Sequence, residues 1–578
     1  MDQHLEHLRH SLAHLLAAAV TKLWPDAKPT IGPAIEHGFY YDFAFPSPIS
    51  EADLARIEDE MRKLLPSWES FAHREVTADE ARKLYKGNPF KLELVNELES
   101  KGETITVYTS GGFTDLCRGG HLAHPAKEID PSSFALHKLA GAYWRGDESK
   151  SQLTRIYGLA FATKEELAAH LTMLQEAAKR DHKKLGPELD LFVFSDLVGS
   201  GLPLWTPKGT VLRNILDDFV WGLRAKYGYE KVEIPHITKK DLYVTSGHWE
   251  KFKEDLFRIT TREDHEFAMK PMNCPHHTQI YARRLWSYRE LPQRYANTTM
   301  VYRDEQSGEL AGLARVRSIT QDDAHVFCRM DQVNDEALKI WDIIHAFYGA
   351  FGFRLRVRLS VHDPATPEKY LGSEAGWKDA ERILEALLTA KGITPELGVG
   401  EAAFYGPKLD FLGKDAIGRE HQVATIQLDL NMPERFDLVC INEKGERERI
   451  VMIHAAIMGS IERFLAVAIE HFGGAFPAWL APVQVRVIPV SDKHLGPARI
   501  KAELLRDAGI RTELDESNES VGKKIRAAET AKIPYAAVVG DKEKDSDALA
   551  VRKHGGEDVG TVPVEELVRR IRSDNPLL

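Results

Sequence analysis

Two short spacings in this chain place metal-type or acid–base side chains together. His10 and His14 lie four apart in LRHSLAHLLAAAV, a strongly helical stretch, so both imidazoles share one face. Cys117-Arg118-Gly119-Gly120-His121 sets a thiol and a further imidazole four apart around two glycines. Two such pairs have the composition of a tetrahedral zinc site, although a lone His-x3-His is commonly a coincidence. A third stretch gathers cations. The strand-like run Asn297 to Arg303 ends in an arginine and two acids, a loop with Gly308 and Gly312 follows, and the chain returns through Arg315, Val316, Arg317, Ser318 and Ile319. Guanidinium groups converging from a hairpin suit a polyanion, because each planar fork grips phosphate or carboxylate through two donors. The return arm then delivers Gln321, Asp322, Asp323 and His325, polar residues that a plain half-buried strand would avoid. Near the far end, Gly459-Ser460 opens a helix that can present Arg463 to a phosphate. Taken singly, each arginine also reads as an ordinary solvated cation.

These groups need a scaffold. Thr163 to Lys184 is predicted as one long amphipathic connecting helix ending at Gly186-Pro187. A helix from about Gly209 to Lys226 feeds a strand carrying Pro235, which belongs at an edge, a bulge or an interface. Gly406-Pro407-Lys408, Gln422 and Thr425 to Leu430 look like strands lining one site. After Phe472-Gly473-Gly474 and Pro477, strand and helix alternate through VQVRVIPV, Pro497 to Asp507, IRTELD and YAAVVG, which predicts a small doubly wound sheet. The expected division of this multidomain α/β chain is 1–160 (α+β), 161–186 (connecting helix), 187–478 and 479–578.

Composition bounds the function. The 578 residues, 28% charged and 43% hydrophobic, suit several globular domains. No apolar run reaches membrane-spanning length, and the start lacks a secretory signal pattern. Four cysteines without close pairing point to a reducing compartment, the cytoplasm by default. A net charge of −11 argues against a broad basic surface, and no DNA or membrane partner is expected. RNA remains compatible through local patches such as Lys179 to Lys184 and Gly522 to Lys532. Gly-rich phosphate loops of the P-loop or dinucleotide type are absent.

Arg303-Asp304-Glu305 with the returning Arg315 and Arg317 resembles the second signature motif of class II aminoacyl-tRNA synthetases. Asn273-Cys274-Pro275, His454 and Gly459-Ser460-Ile461-Glu462-Arg463-Phe464 narrow the resemblance to the threonyl-tRNA synthetases, and it runs from His10 to the C-terminus. The resemblance implies an N-terminal α+β editing domain, a class II antiparallel sheet flanked by helices, and a C-terminal doubly wound anticodon-binding domain. It implies a bacterial type without the small ubiquitin-like N-terminal domain. Threonine would be activated by ATP with Mg2+ and transferred to tRNA(Thr) in a homodimer joined through the 209–226 helix and the strand after it. Cys274, His325 and His454 would hold one Zn2+ per chain. Gln321, Asp323 and Tyr405 would bind threonine, and Arg303, Glu305, Arg315, Gln422, Gln427, Ser460 and Arg463 would bind ATP, with Arg303 and Arg463 catalytic. His10, His14, Lys91, Asp115, Cys117 and His121 would form the editing site, metal-free in this family but zinc-bound in the related alanyl domains; spacing does not separate the two. Glu543 and Arg552 would read the anticodon. Asp304, Ala311 and Ala455 depart from the usual asparagine, histidine and arginine, and Gly120 from a common proline. A non-catalytic RNA-binding paralogue is the alternative.

Overall fold

The computed structural model describes residues 3–147 and 149–575. It forms two compact units, one through Gln175 and the other from Glu176. Among the described residues no helix is long and apolar enough to cross a membrane.

The first unit is built on the helix Gln3–Leu23, whose residues from Ser11 to Val20 are all buried. A helix apolar on every side must be enclosed, and here it packs against the helix Leu54–Leu64 and a sheet whose long strands are Gly38–Ala44, Gln152–Ala160 and, at one edge, Phe134–Tyr143. The buried Arg9 is accommodated because its Nε donates to the Ala160 carbonyl at 3.1 Å. A smaller sheet, Ala72–Val76, Ile105–Ser110 and Phe113–Leu116, carries Asp115 at its edge.

The connecting helix is broken. It runs Lys164–Arg180, stops at Asp181, and restarts as His182–Glu188 with Pro187 inside. Asp181 leaves the helical region and its carboxylate accepts the Lys183 N–H, an N-cap that the charge pattern alone did not reveal. Within the Lys179–Lys184 patch, Lys179 pairs with Glu176, Arg180 donates to the His471 carbonyl and His182 is buried, while Lys183 and Lys184 stay exposed.

The second unit centres on an eight-stranded sheet, ordered Glu230–Lys231, Gln293–Tyr302, Ser318–Cys328, Val451–Ser460, Glu420–Asp429, Lys408–Lys414, Arg354–Val361, Glu396–Val399. Its interior pairings are antiparallel and only the two edge strands are parallel to their neighbours. Helices Pro207–Ala225, Val333–Ala350 and Ile461–Phe472 cover one face, with the Phe347 ring in contact with those of Phe219 and Phe464. Pro235 lies between short strands rather than inside one, as expected of a residue without an N–H to give.

One irregularity matters. Asp322 pairs with Gly459 but Ala324 pairs with Ala455, so the Val451–Ser460 strand bulges between them. The N–H groups of Ile457 and Met458 in that bulge donate to the buried Asp322 carboxylate at 3.1 and 3.0 Å. Arg224, from the helix Pro207–Ala225, forms an ion pair with the same carboxylate, with side chains only 2% and 0% exposed. Its guanidinium also donates to the Ala455 carbonyl at 3.4 Å.

The C-terminal sheet is ordered Thr512–Leu514, Val485–Pro489, Tyr535–Val539, Ala548–Lys553, Asp558–Pro563. The first three strands are parallel and the last two antiparallel, and the helices Leu495–Asp507 and Val521–Thr530 both pack on the strand Val485–Pro489, so the doubly wound arrangement carries an antiparallel edge. Between Val539 and Ala548 there is room for a hairpin connection but not for a crossover helix.

Candidate active site

The exposed face of the eight-stranded sheet holds two adjoining groups of residues. In the first, Cys274, His325 and His454 come together with exposures of 0%, 0% and 7%, and their donor atoms all lie within 4.8 Å of one another. His325 and His454 are register partners on neighbouring strands, and Cys274 begins the helix Cys274–Tyr281. Nε2 of His325 faces Nδ1 of His454 at 3.0 Å. Two nitrogens sharing a tetrahedral zinc stand about 3.3 Å apart, so the donor set fits such an ion. The outer partners fit as well: His454 Nε2 donates to Asp429 at 3.0 Å, and His325 Nδ1 meets His277 Nδ1 at 2.8 Å. Burial, reinforced by Asp323 and Asp429, pushes the Cys274 thiol well up, and burial pushes the His325 imidazole well down. A thiol and two imidazoles pressed together are the donor set of a cation site.

Asp323 and Tyr405 border these donors. Asp323 accepts from Asn273 at 3.2 Å, and burial lifts its carboxyl to about 6 against the pull of His454. The Tyr405 ring lies 4.9 Å from that of His454. Gln427, placed with ATP on sequence grounds, sits here instead: it is the register partner of His454 and donates to the Gly406 carbonyl at 3.0 Å.

The second group lines a cavity of about 620 Å³ that takes in Arg303, Glu305, Arg315, Gln321, Gln422, Ser460 and Arg463. The arginines come from the loop 303–317 and from the helix Ile461–Phe472; the return strand begins only at Ser318, so Arg315 and Arg317 belong to the loop. Burial lowers the Arg303 pKa, and its Nε has no hydrogen-bond partner. A desolvated guanidinium with an unused donor is suited to an anion. Arg315 is paired with Glu305 at 2.7 Å and with Glu309 at 2.8 Å. Ser460 caps the helix by accepting the Arg463 N–H at 3.2 Å, and Gln422 donates to the fully buried Asp410 at 2.7 Å. The atypical residues disturb little: Asp304 stands 3.7 Å from Arg317, Ala311 donates its N–H to the Arg315 carbonyl, and Ala455 is 1% exposed in the core.

In the first unit, the six sequence-selected residues converge. Donor atoms of His10, His14, Cys117 and His121 all lie within 4.8 Å of one another. Behind them Asp115 accepts from His14 Nδ1 at 3.1 Å, from the buried Lys91 at 2.5 Å and from Tyr41 at 2.5 Å. His10 Nδ1 donates to the Gly120 carbonyl at 3.1 Å, and its Nε2 stands 3.2 Å from His14 Nε2 and 3.5 Å from the Cys117 sulfur. Burial would lower the His14 pKa, yet Asp115 and Cys117 raise it to about 9. Burial likewise opposes the Cys117 thiolate, and hydrogen bonds from His10, His121 and His14 outweigh it and bring the pKa to about 3.

The two C-terminal residues are not brought into contact. Glu543 is 7% exposed and accepts the Gly540 N–H at 3.0 Å beyond the end of the strand Tyr535–Val539. Arg552 is exposed and pairs with Ala536 near that strand's start.

Sequence reasoning missed several neighbours. His277 follows Cys274 by three on one helix, a spacing that offered a signal. Asp429 and Tyr41 offered none, because nothing in the spacing of either strand points to the site. His248, 0% exposed and 3.7 Å from the Cys274 sulfur, offered none either.

Comparison with known proteins agrees with this geometry. Residues 257–472 match the tRNA synthetase class II core domain (G, H, P, S and T), and residues 484–574 the anticodon binding domain. A threonine–tRNA ligase of Gloeobacter violaceus is 49% identical over 575 residues, 98% of this chain and 91% of its own length. One from Porphyromonas gingivalis is 48% identical, over 98% of this chain and 87% of its own. Among solved structures, the RNA binding domain of threonyl-tRNA synthetase from Cryptosporidium parvum superposes with a TM-score of 0.65 at 37% identity, over 68% of this chain and 98% of that one. In sequence across nearly its whole length and in the fold of its larger unit, the chain belongs to the threonine–tRNA ligase family of class II synthetases.

Proposed function

We propose that the protein activates threonine with ATP, transfers it to tRNA(Thr), and hydrolyses seryl-tRNA(Thr) formed in error. One observation carries the first part: a single pair of neighbouring strands bears both chemistries. His325 and Gln321 share the strand Ser318–Cys328, and His454 and Ser460 share Val451–Ser460. Four to six residues of strand span roughly 13–20 Å, about the reach from an amino acid to the far phosphate of a bound nucleotide.

In this reading Cys274, His325 and His454 hold one zinc. When bound, the ion would supply Lewis-acid contacts to the amino and hydroxyl groups of threonine, the latter absent from valine. Asp323 and Tyr405 orient the amino acid, with Gln427 beside them and Gln321 between it and the nucleotide cavity. The threonine carboxylate attacks the α-phosphorus, the new C–O–P bond replaces the bridge to the β-phosphorus, and pyrophosphate leaves. No general base is required, because the nucleophile is already ionised; positioning and neutralisation carry the step. Arg303 serves the α-phosphate and carboxylate, Arg463 the γ-phosphate and Glu305 the adenine end, with Gln422, Ser460 and Arg315 completing the nucleotide site. Mg2+ accompanies ATP as part of that substrate.

The residues around Cys117 form the editing site. In this reading the site hydrolyses without a metal, with Asp115 holding His14 through Nδ1. The domains are assigned as 1–160 editing, 161–186 connecting, 187–478 catalytic and 479–578 anticodon-binding. A homodimer is supported by the exposed apolar run Val193, Phe194, Leu197 and Val198, with Leu197 fully exposed. Four free cysteines suit the cytoplasm.

ATP–pyrophosphate exchange across the twenty amino acids tests the activation. Exchange is expected to be strong with threonine, weak with serine and near background with valine. A folded protein silent with threonine would move the assignment to a non-catalytic RNA-binding paralogue. Glu543 and Arg552 are assigned to anticodon reading. Arg552→Ala should cut aminoacylation on the order of tenfold or more, the loss of one good base contact. Threonine-dependent exchange should stay within about twofold, and equal losses in both assays would make Arg552 structural.

A further inference from the structure

His182 lies outside the zinc, nucleotide and editing residue sets. It begins the short helix after the break at Asp181, is only 5% exposed, and engages both ring nitrogens and its backbone N–H. Its Nδ1 donates to Glu470 Oε1 at 2.6 Å, and its backbone N–H reaches the same oxygen at 3.2 Å. Its Nε2 is therefore the bare nitrogen, and it accepts the Leu313 N–H at 3.1 Å. Leu313 is fully buried two residues before Arg315, inside the loop that presents Arg303 and Arg315. Glu470 lies two turns beyond Arg463 on the same helix. Gly312 is at φ +56, and a Cβ there would stand 2.5 Å from His182 Nε2. The glycine thus allows both the left-handed turn and the close approach of the ring.

Glu470 is held from its other side. Its Oε2 pairs with Arg419 at 2.6 Å, Arg419 with Asp415 at 2.7 Å, and Asp415 with His421 at 3.0 Å. His421 directly precedes Gln422, which lines the nucleotide cavity. Three walls of that cavity, namely the loop 303–317, the helix of Arg463 and the strand of Gln422, are therefore fastened through one imidazole and one carboxylate.

We propose that His182 is a positioning residue for ATP: through Glu470 and the Leu313 N–H it fixes the arginine-bearing loop against the helix of Arg463. The inference rests on the nucleotide reading of that cavity. It also gives the connecting segment a role in catalysis, because the break at Asp181 is what lets the ring enter.

Asparagine places its side-chain amide where Nδ1 was and keeps the contact with Glu470. Glutamine places an oxygen where Nε2 was and can accept the Leu313 N–H. In threonine-dependent pyrophosphate exchange, His182→Asn should raise the KM for ATP on the order of tenfold, the worth of one buried hydrogen bond. The KM for threonine should not move, and His182→Gln should recover most of the loss. Gly312→Ala, which pushes a methyl group at Nε2 from the loop side, should repeat the ATP-specific effect and supplies the test if His182→Asn does not fold. Equal rises in both KM values, or Asn and Gln variants impaired in proportion to their loss of Tm, would overturn the positioning role. Absence of exchange in the wild type would instead overturn the functional reading beneath it.

Discussion

Cys274→Ala is expected to lose its bound zinc and, with it, threonine activation by on the order of 10²–10³-fold or more, the scale of losing a main electrostatic contact in a site. The size follows from the surroundings. The thiol is fully buried among His325, His454, Asp323 and Asp429, and it is the only cysteine in the described donor set. Two imidazoles remaining without the thiolate are a weak site for zinc. Metal analysis of the purified variant, run beside pyrophosphate exchange and a thermal melt, reads the outcome. A variant that keeps a full equivalent of zinc removes Cys274 from the ligand set, whatever its activity. A variant that loses metal yet still activates threonine separates the ion from amino-acid recognition.

The second large effect belongs to the first unit. Serine differs from threonine by one methyl group, worth roughly 1–3 kcal/mol to a binding site and too little for faithful decoding. Wild-type protein should hydrolyse seryl-tRNA(Thr), and His10→Ala and His121→Ala should each lose on the order of 10²–10⁴-fold, the range of positioned acid–base groups. Threonine activation should be unchanged, and a strong chelator should have little effect. The charge on His14 adds a pH dependence with a definite sign. Its pKa in the folded protein, about 9, lies above the ordinary 6.5. The stabilisation it brings is complete below pH 6.5 and disappears as the pH rises through about 9. Enzyme-dependent hydrolysis should fade across the same upper limit. Seryl-tRNA left intact by the wild type ends the editing assignment; hydrolysis abolished by chelator alone ends the metal-free one.

What the sequence made legible was whatever has a short period or a fixed spacing. The His10/His14 pair needed only the turn of a helix, and the strands on either side of the loop 303–317 needed only alternation. The Cys274, His325 and His454 set was invisible to spacing and entered through family resemblance, because strand pairing brings His325 to His454 across 129 residues. The connecting helix was misread as continuous because Asp181 has the same charge pattern in a helix as at a cap. The C-terminal unit was legible as strands alternating with helices, while the antiparallel direction of its last two strands was not, because periodicity gives the strands but not their directions. Gln427 shows the finest limit: it alternates correctly with Thr425, and only the register decides which end of the site it serves.

The ion pair of Arg224 with Asp322 has a consequence for how such a chain can change over time. Removing either partner strands a buried charge, a cost of about 3–5 kcal/mol and a large part of the stability a domain holds in reserve. Replacing both by apolar side chains of matching shape is often close to neutral. A lineage can reach that second state only by crossing the first, so the two positions are held in place by the path between sequences more than by any work done at the end of it. Two residues that touch no substrate are thereby as hard to alter as the arginines that grip one, and the bulged strand between Ala455 and Gly459 is inherited with them.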